Sequence, residues 1–379
     1  MRPLRRSLGF LTSVRFVVNT SFRFVYPFLP AIGRGLGVSL ERAGLLVSAR
    51  SLAGTATPLV VATVGRGERR SRLIVLGIAL FTVGAGVTAA TGVYAGAVAG
   101  FVLLGFAKPA FDVSARSYLA DRVPYHRRAR ALSVLELTWA GALLLGAPAA
   151  GWLIDRHGWR APFWVFAGLG LVALAAVRTA VDPDRGTSAP GDPPFRPGRP
   201  GVSLLGAAAL FSLAAEVVFL PFGAWLEDGF GLSLVALGGA AVAIGVAELA
   251  GEGATLAWAD RVGKRRSVVV GLTISIAAFA LLAPAAGSLA WGLGLLAVGF
   301  FGFEIAFVAT LPLATEVVPT ARARYLALLE VAVWSARAAG AAAGPWLYGV
   351  GGLALCGATA AVVDAAAVAL LLRAVPCDR

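Results

Sequence analysis

The sequence predicts an all-α membrane protein: 12 transmembrane helices arranged as two pseudo-symmetric six-helix bundles. Three observations lead there. Only 14% of the 379 residues are charged and 58% are hydrophobic, whereas a soluble domain carries roughly 25% charged residues. The apolar runs repeatedly approach the ~20 residues that cross a bilayer. The two halves of the chain also repeat each other at one fixed shift.

Taken in order, Gly/Pro/Arg-rich breaks divide the first half into spans at 8–32, 43–64, 73–91, 95–119, 131–154 and 161–181. The second set falls at 202–227, 234–257, 267–286, 289–315, 325–348 and 352–374. Between them lies VDPDRGTSAPGDPPFRPGRPG, six prolines without apolar periodicity, which reads as a polar linker. The predicted organisation is therefore an N-terminal bundle over 1–181, a cytoplasmic linker over 182–201 and a C-terminal bundle over 202–379. The start MRPLRRSLGF has a basic opening like a signal peptide, but no small-residue cleavage site follows a clean apolar stretch, so a retained first span is expected.

A net charge of +13 invites a nucleic-acid reading, yet the basic residues form no single patch. They recur in short clusters between apolar runs, which is the pattern of cytoplasmic loops. With the N-terminus inside, and counting Arg178 and Arg373 at the cytoplasmic ends of spans 6 and 12 on that side, 23 basic residues are cytoplasmic, four outside and six within spans. Both termini are thus expected in the cytoplasm of a multi-pass plasma-membrane (cell inner membrane) protein, with no nucleic-acid partner. Two cysteines, Cys356 and Cys377, support no disulfide framework, and both histidines lie in loops.

At a shift of 194 residues, YPFLPAIGRGLGVSL (26–40) aligns with LPFGAWLEDGFGLSL (220–234), matching Pro27 to Pro221, Gly35 to Gly229, Gly37 to Gly231 and Ser39 to Ser233. RALSVLE (130–136) aligns with RYLALLE (324–330). Parallel six-span repeats are one of the transporter architectures.

The loop WADRVGKRRSVVVG (258–271) resembles the signature of the major facilitator superfamily in Asp260, Arg261, Gly263, Lys264 and Arg265, with Leu256 where a glycine is usual. The resemblance implies a cluster that holds the cytoplasmic face shut, with Asp121 and Glu316, at the ends of spans 4 and 10, as partners of the loop cations. The matching loop 64–72 keeps Gly67, Arg69 and Arg70 but has Val64 in place of the acid. GALLLGAPAAGWLIDRHGWRAPFWV (141–165) is similar to the Gly-Pro span-5 motif of the drug:proton antiporter (arabinose-efflux-like) branch, in Gly141, Gly146, Pro148 and Gly151. Small residues let helices approach closely and Pro permits a bend, so this stretch either seals the halves against ion leak or simply packs them.

Leaving aside Arg178, Glu227 and Arg373 near span ends, fourteen ionisable residues fall inside the proposed spans, where charge is costly unless paired or facing a wet cavity. The N-terminal half holds Arg15, Arg23, Arg50, Lys108 and Arg116 against Asp112 and Glu136; the C-terminal half holds Glu216, Glu248, Glu252, Glu304, Glu330 and Asp364 against Arg337. A basic wall would face an acidic one. Arg15, Asn19, Phe22, Arg23 and Tyr26 share about a 100° arc of span 1, and Lys108, Asp112 and Arg116 run at i, i+4, i+8 down span 4.

Asp112, Arg116, Glu136 and Glu330 are expected mainly to pair across the halves. Arg15, Asn19, Arg23, Tyr26 and Lys108 are the candidate substrate contacts. Glu216 is the first candidate proton carrier, because it lies on the repeat partner of span 1, five residues before Pro221; Glu248, Glu252 and Glu304 follow.

These features predict a monomeric secondary transporter, not an enzyme, that moves a small molecule by alternating access, with proton-coupled efflux as the leading form. The alternatives are a carrier of an anionic or amphiphilic metabolite (an organic anion or lysolipid) and a non-transporting membrane sensor. No nucleotide-binding loop, metal cluster or catalytic triad is legible, so no cofactor and no metal are expected. The implied partners are a small-molecule substrate, protons and the lipid bilayer.

Overall fold

A computed structural model describes residues 2–64, 70–182 and 196–374. Span 1 is built from Arg2–Arg23 and Val25–Leu36, span 2 from Leu40–Val64, span 3 from Arg70–Thr91 and span 4 from Tyr94–Arg122. Span 5 runs from Tyr125–Glu136 through Thr138–Gly141, Ala142–Gly146 and Ala147–His157, and span 6 is Ala161–Ala180. Span 7 joins Arg199–Phe219 to Phe222–Phe230, span 8 is Leu234–Val262, span 9 is Lys264–Ala280 followed by Leu282–Ala285, and span 10 is Leu289–Val317. Spans 11 and 12 share Arg322–Ala374, divided by non-helical backbone at Gly351 and Gly352. Gly67, Arg69, Cys377 and most of the predicted linker lie outside the described residues.

The internal repeat is written into the backbone. Span 1 ends at Gly37 (φ 66°) and span 7 at Gly231 (φ 61°), left-handed positions where a side chain would be strained. Ser39 Oγ then accepts the Arg42 amide (3.4 Å) to start span 2, and Ser233 Oγ accepts the Ala236 amide (3.3 Å) to start span 8. Both partner helices are also broken midway: span 1 at Phe24, three residues before Pro27, and span 7 at Leu220 and Pro221. Proline has no N–H to continue the ladder, so each break leaves backbone and side chains free to line a central space. Span 5 adapts differently. Pro148 cannot donate to Leu144, and the preceding amide, Ala147, reaches back five residues to the Ala142 carbonyl, opening a single wide turn.

The glycine-rich faces decide where the halves touch. A Cβ on Gly151 would meet the Leu234 carbonyl at 2.7 Å, one on Gly238 the Ala147 carbonyl at 2.9 Å, and one on Gly44 the Ala341 carbonyl at 2.8 Å. Spans 5 and 8, and spans 2 and 11, therefore pack backbone to backbone. Spans 1 and 7 meet where Gly223 lies under the Pro27 carbonyl, and Arg34 bridges to Glu227 at 2.7 Å. These approaches cluster at the end opposite the chain termini. At the terminal end the ion pairs described stay within a half: Arg70 with Asp121, and Lys264 with Glu316. The molecule is closed at the end bearing loops 1–2 and 7–8.

The outer surface is apolar, with Trp152, Trp164, Trp291 and Trp346 among its exposed side chains, as a lipid-facing exterior with interfacial aromatics requires.

Candidate functional site

Two polar clusters occupy the centre. The first belongs to the N-terminal half. Arg15 Nε donates to Asp112 Oδ1 (3.2 Å) and its terminal nitrogen to Glu136 Oε2 (2.9 Å). Lys108 Nζ donates to Asp112 Oδ2 (2.6 Å) and to Asn19 Oδ1 (2.5 Å), while the Asn19 amide donates to Thr138 Oγ1 (2.9 Å). Arg116 pairs with Glu136 at 3.0 Å. The i, i+4 spacing in span 4 puts one carboxylate beside both neighbours, and spans 1 and 5 bring the rest.

This corrects the expected wall-against-wall arrangement. The described ion pairs of Asp112, Arg116 and Glu136 lie inside one half, with the charge of Glu330 acting on Arg116 from the other, and Arg15 and Lys108 are largely neutralised there. Local helical spacing satisfies these charges before a partner from the other half is needed. Glu330 likewise accepts from Trp334 Nε1 (3.1 Å) on its own span.

The second cluster crosses the halves. Both terminal nitrogens of Arg23 donate to Glu248 on span 8, one of them to Oε1 at 2.7 Å. Tyr26 O–H donates to Glu216 Oε1 on span 7 at 2.8 Å. Arg23, Glu248, Glu216 and Tyr26 are all at most 5% exposed. They line a small cavity with Trp139, Phe219, Phe300, Phe303 and Arg337. The Tyr26 ring stacks on Phe219 (4.3 Å, 15°), and the Arg23 guanidinium sits 4.4 Å from the Trp139 ring and 5.5 Å from Phe219. Lys108 and Arg337 approach the same Trp139 ring at 5.2 and 5.8 Å. Buried Arg23 is therefore held by charge, by two parallel hydrogen bonds and by ring faces at once.

Glu304 is buried on span 10 against Gly251 of span 8, and Glu252 is half-buried one turn beyond Glu248. Of the charge-bearing candidates for substrate or proton binding, Arg23, Glu216 and Glu248 converge on the cavity, with Glu304 and Glu252 beside it; Arg15 and Lys108 sit in the first cluster.

Sequence reasoning missed Trp139 and Phe219. Each stands three residues after a charged position, Glu136 and Glu216, so helical spacing from the carboxylates was the available signal. It also left Arg50 unassigned. Arg50, 1% exposed, donates to the Phe22 carbonyl (3.1 Å) beside the break in span 1 and lies 4.2 Å from the Phe22 ring.

The loop cluster separates into parts. Gly263 (φ 98°) makes the tight turn between spans 8 and 9. Lys264 pairs with Glu316, Arg265 donates to the Leu372 carbonyl (3.1 Å), and Asp260 and Arg261 are exposed. Arg70, which pairs with Asp121, stands 194 residues before Lys264, so the incomplete N-terminal copy still ties a loop cation to the end of span 4. In span 5, Gly151 and Pro148 contact span 8, Gly146 lies against Thr20 of span 1, and Gly141 lies near Phe16.

Comparison with known proteins agrees with this architecture. The family model of the Major Facilitator Superfamily matches residues 11–340. The inner membrane transport protein YdhP of Escherichia coli (strain K12) is 33% identical over 150 residues, 39% of this chain and 38% of the relative. A chloramphenicol resistance protein of Streptomyces lividans is 34% identical over 184 residues, 47% of this chain and 46% of that protein. The chain matches less than half the length of either relative. A bacterial homolog of the human lysosomal transporter Spinster superposes with a TM-score of 0.73 at 16% identity, covering 98% of this chain and 95% of that one. The human organic anion transporter MFSD10 gives 0.68 at 20% identity, covering 97% and 99%. With twelve spans, a six-span repeat and a central cavity between the halves, the chain belongs to the major facilitator superfamily.

Proposed function

We propose that the protein is a proton-coupled exporter of a small molecule, working by alternating access with both termini in the cytoplasm and the two six-span bundles, on either side of the 182–201 linker, rocking about the central cavity. The observation that carries this is the pair of buried bonds crossing the halves there, Arg23 with Glu248 and Tyr26 with Glu216. Neither can persist when the halves separate around the cavity. Each then needs another guest, and a proton or a substrate group is what the cavity can supply. In this orientation the closed end faces outward and the Lys264–Glu316 and Arg70–Asp121 pairs stiffen the cytoplasmic rims of the bundles. The similarity to a chloramphenicol resistance protein supports export.

Glu216 is the proton carrier on this reading, because its cross-half partner is a neutral hydroxyl that tolerates both charge states of the carboxyl. Proteoliposomes with an imposed pH gradient, screened over cationic, zwitterionic and anionic compounds, test it. The gradient is expected to drive at least one compound, and Glu216→Gln to abolish gradient-driven accumulation while leaving exchange of that compound between the two sides. Accumulation surviving in Glu216→Gln would remove the carboxyl from the coupling role.

A second reading has its own observation. Arg23, Lys108 and Arg337 all approach the Trp139 ring, which favours an anionic amphiphile as the cargo, and the same screen decides between them.

A further inference from the structure

Arg23 occupies more than an ion pair. Its guanidinium has the Trp139 and Phe219 rings within 4.4 and 5.5 Å and the two oxygens of Glu248 in front of it. An electron-rich ring face combined with a carboxylate fork is the arrangement that recognises a planar organic cation. The occupant is imperfectly satisfied, since Arg23 Nε is buried and has no acceptor. Every part of the cage except Arg23 and Trp139 belongs to the C-terminal half, so separating the halves withdraws Arg23 from Glu248.

We infer that Arg23 is a tethered stand-in for a cationic cargo: the Trp139–Phe219–Glu248 cage binds an amidinium, guanidinium or amine carried on an apolar body, which enters by displacing Arg23. Glu248 holds a single guest, Arg23 or the cargo cation, so the tethered guanidinium and the cargo exclude each other at this carboxylate. The surrounding charges are compatible with a cation. Glu216 reaches the cavity from span 7, Glu304 lies against span 8 from span 10 and Glu252 follows on span 8, while Arg337 supplies positive charge from span 11 and Lys108, paired with Asp112, approaches the Trp139 ring from span 4. Phe300 and Phe303 extend the apolar wall on which the body of the cargo would rest. The inference rests on the transport reading for its purpose, but binding alone tests it.

The test is binding of benzamidinium to the purified full-length protein in detergent, followed by tryptophan fluorescence and by thermal shift, with benzoate as the anionic counterpart. Arg23→Ala, which empties the cage, is expected to bind benzamidinium at least tenfold more tightly than the unaltered protein, and Arg23→Ala with Glu248→Gln to lose that gain. Arg23→Met keeps the stem volume and is expected to behave as Arg23→Ala does. Guanidinium chloride at millimolar concentration should raise the melting temperature of Arg23→Ala above that in equal sodium chloride. No gain in either Arg23 variant, a gain that survives Glu248→Gln, or preferential binding of benzoate to the unaltered protein would overturn the inference. Cation binding without any gradient-driven transport would leave the cage standing and count against the exporter reading alone; driven transport of a compound whose affinity ignores both Arg23 and Glu248 would do the reverse.

Discussion

Replacing Asp112 by Asn is expected to destabilise the protein severely, by about 3–5 kcal/mol, as removal of one partner from a buried ion pair does. Asp112 is 7% exposed and its two oxygens serve Lys108 at 2.6 Å and Arg15 at 3.2 Å. The asparagine keeps one acceptor oxygen where two had served, so either Lys108, 5% exposed, falls back on the Asn19 oxygen or Arg15 falls back on Glu136. Its NH2 then faces whichever cation the oxygen does not serve, so the loss exceeds that of a neutral gap. The measurement is the melting temperature and folded yield of the purified protein. Lys108→Met together with Asp112→Leu should recover most of the loss, because well-packed apolar side chains replace a buried pair at little cost. Equal stability of Asp112→Asn and the unaltered protein would show that water or mobile neighbours already satisfy the cluster.

That cluster also marks how far the sequence could be read. The spans, the repeat and the membrane class follow from composition and periodicity, which are set by the bilayer and need no tertiary detail. The caps at Gly37 and Gly231 and at Ser39 and Ser233 were visible as aligned residue pairs because local backbone chemistry dictates them. The pairing of charges was not visible. Lys108 and Asp112 face each other by i, i+4 spacing alone, whereas Arg23 and Glu248 meet only through the packing of span 1 against span 8. Both pairs look the same in a list of intramembrane charges. Helix rotation and register decide which arginine is neutralised at home and which crosses to the other half, and neither is encoded in one helix. Trp139 escaped notice for the same reason: a tryptophan in an apolar span reads as lipid-facing until its neighbours place three cations around it.

Closure of the end opposite the termini depends on two glycines, and enlarging them should shift the conformational equilibrium. Gly151 faces the Leu234 carbonyl at 2.7 Å from an ideal Cβ, and Gly238 faces the Ala147 carbonyl and Pro148 Cα at 2.9 Å. The obstructing atoms are backbone, which cannot rotate aside as a side chain can. Leucine at either place forces spans 5 and 8 apart, and overpacking of this kind costs about 1–3 kcal/mol. The cost falls on the closed-end state and not on the alternative, in which the same helices separate there. A difference of that size is roughly a 5- to 150-fold population shift. Gly151→Leu and Gly238→Leu are therefore expected to keep near-normal melting temperatures while transport falls steeply, since the cycle needs both states. Spin labels at Arg34→Cys and Glu227→Cys, with Cys356 and Cys377 replaced by alanine, read the shift directly. The exposed Arg34–Glu227 pair that they remove contributes less than about 1 kcal/mol, so the labels do not themselves decide the state. The label separation should be short in the otherwise unaltered protein and lengthen in either leucine variant. A short separation retained in both variants would mean that spans 5 and 8 stay packed at this end throughout, and that closure is governed instead by spans 2 and 11, where Gly44 meets Pro345 and the Ala341 carbonyl.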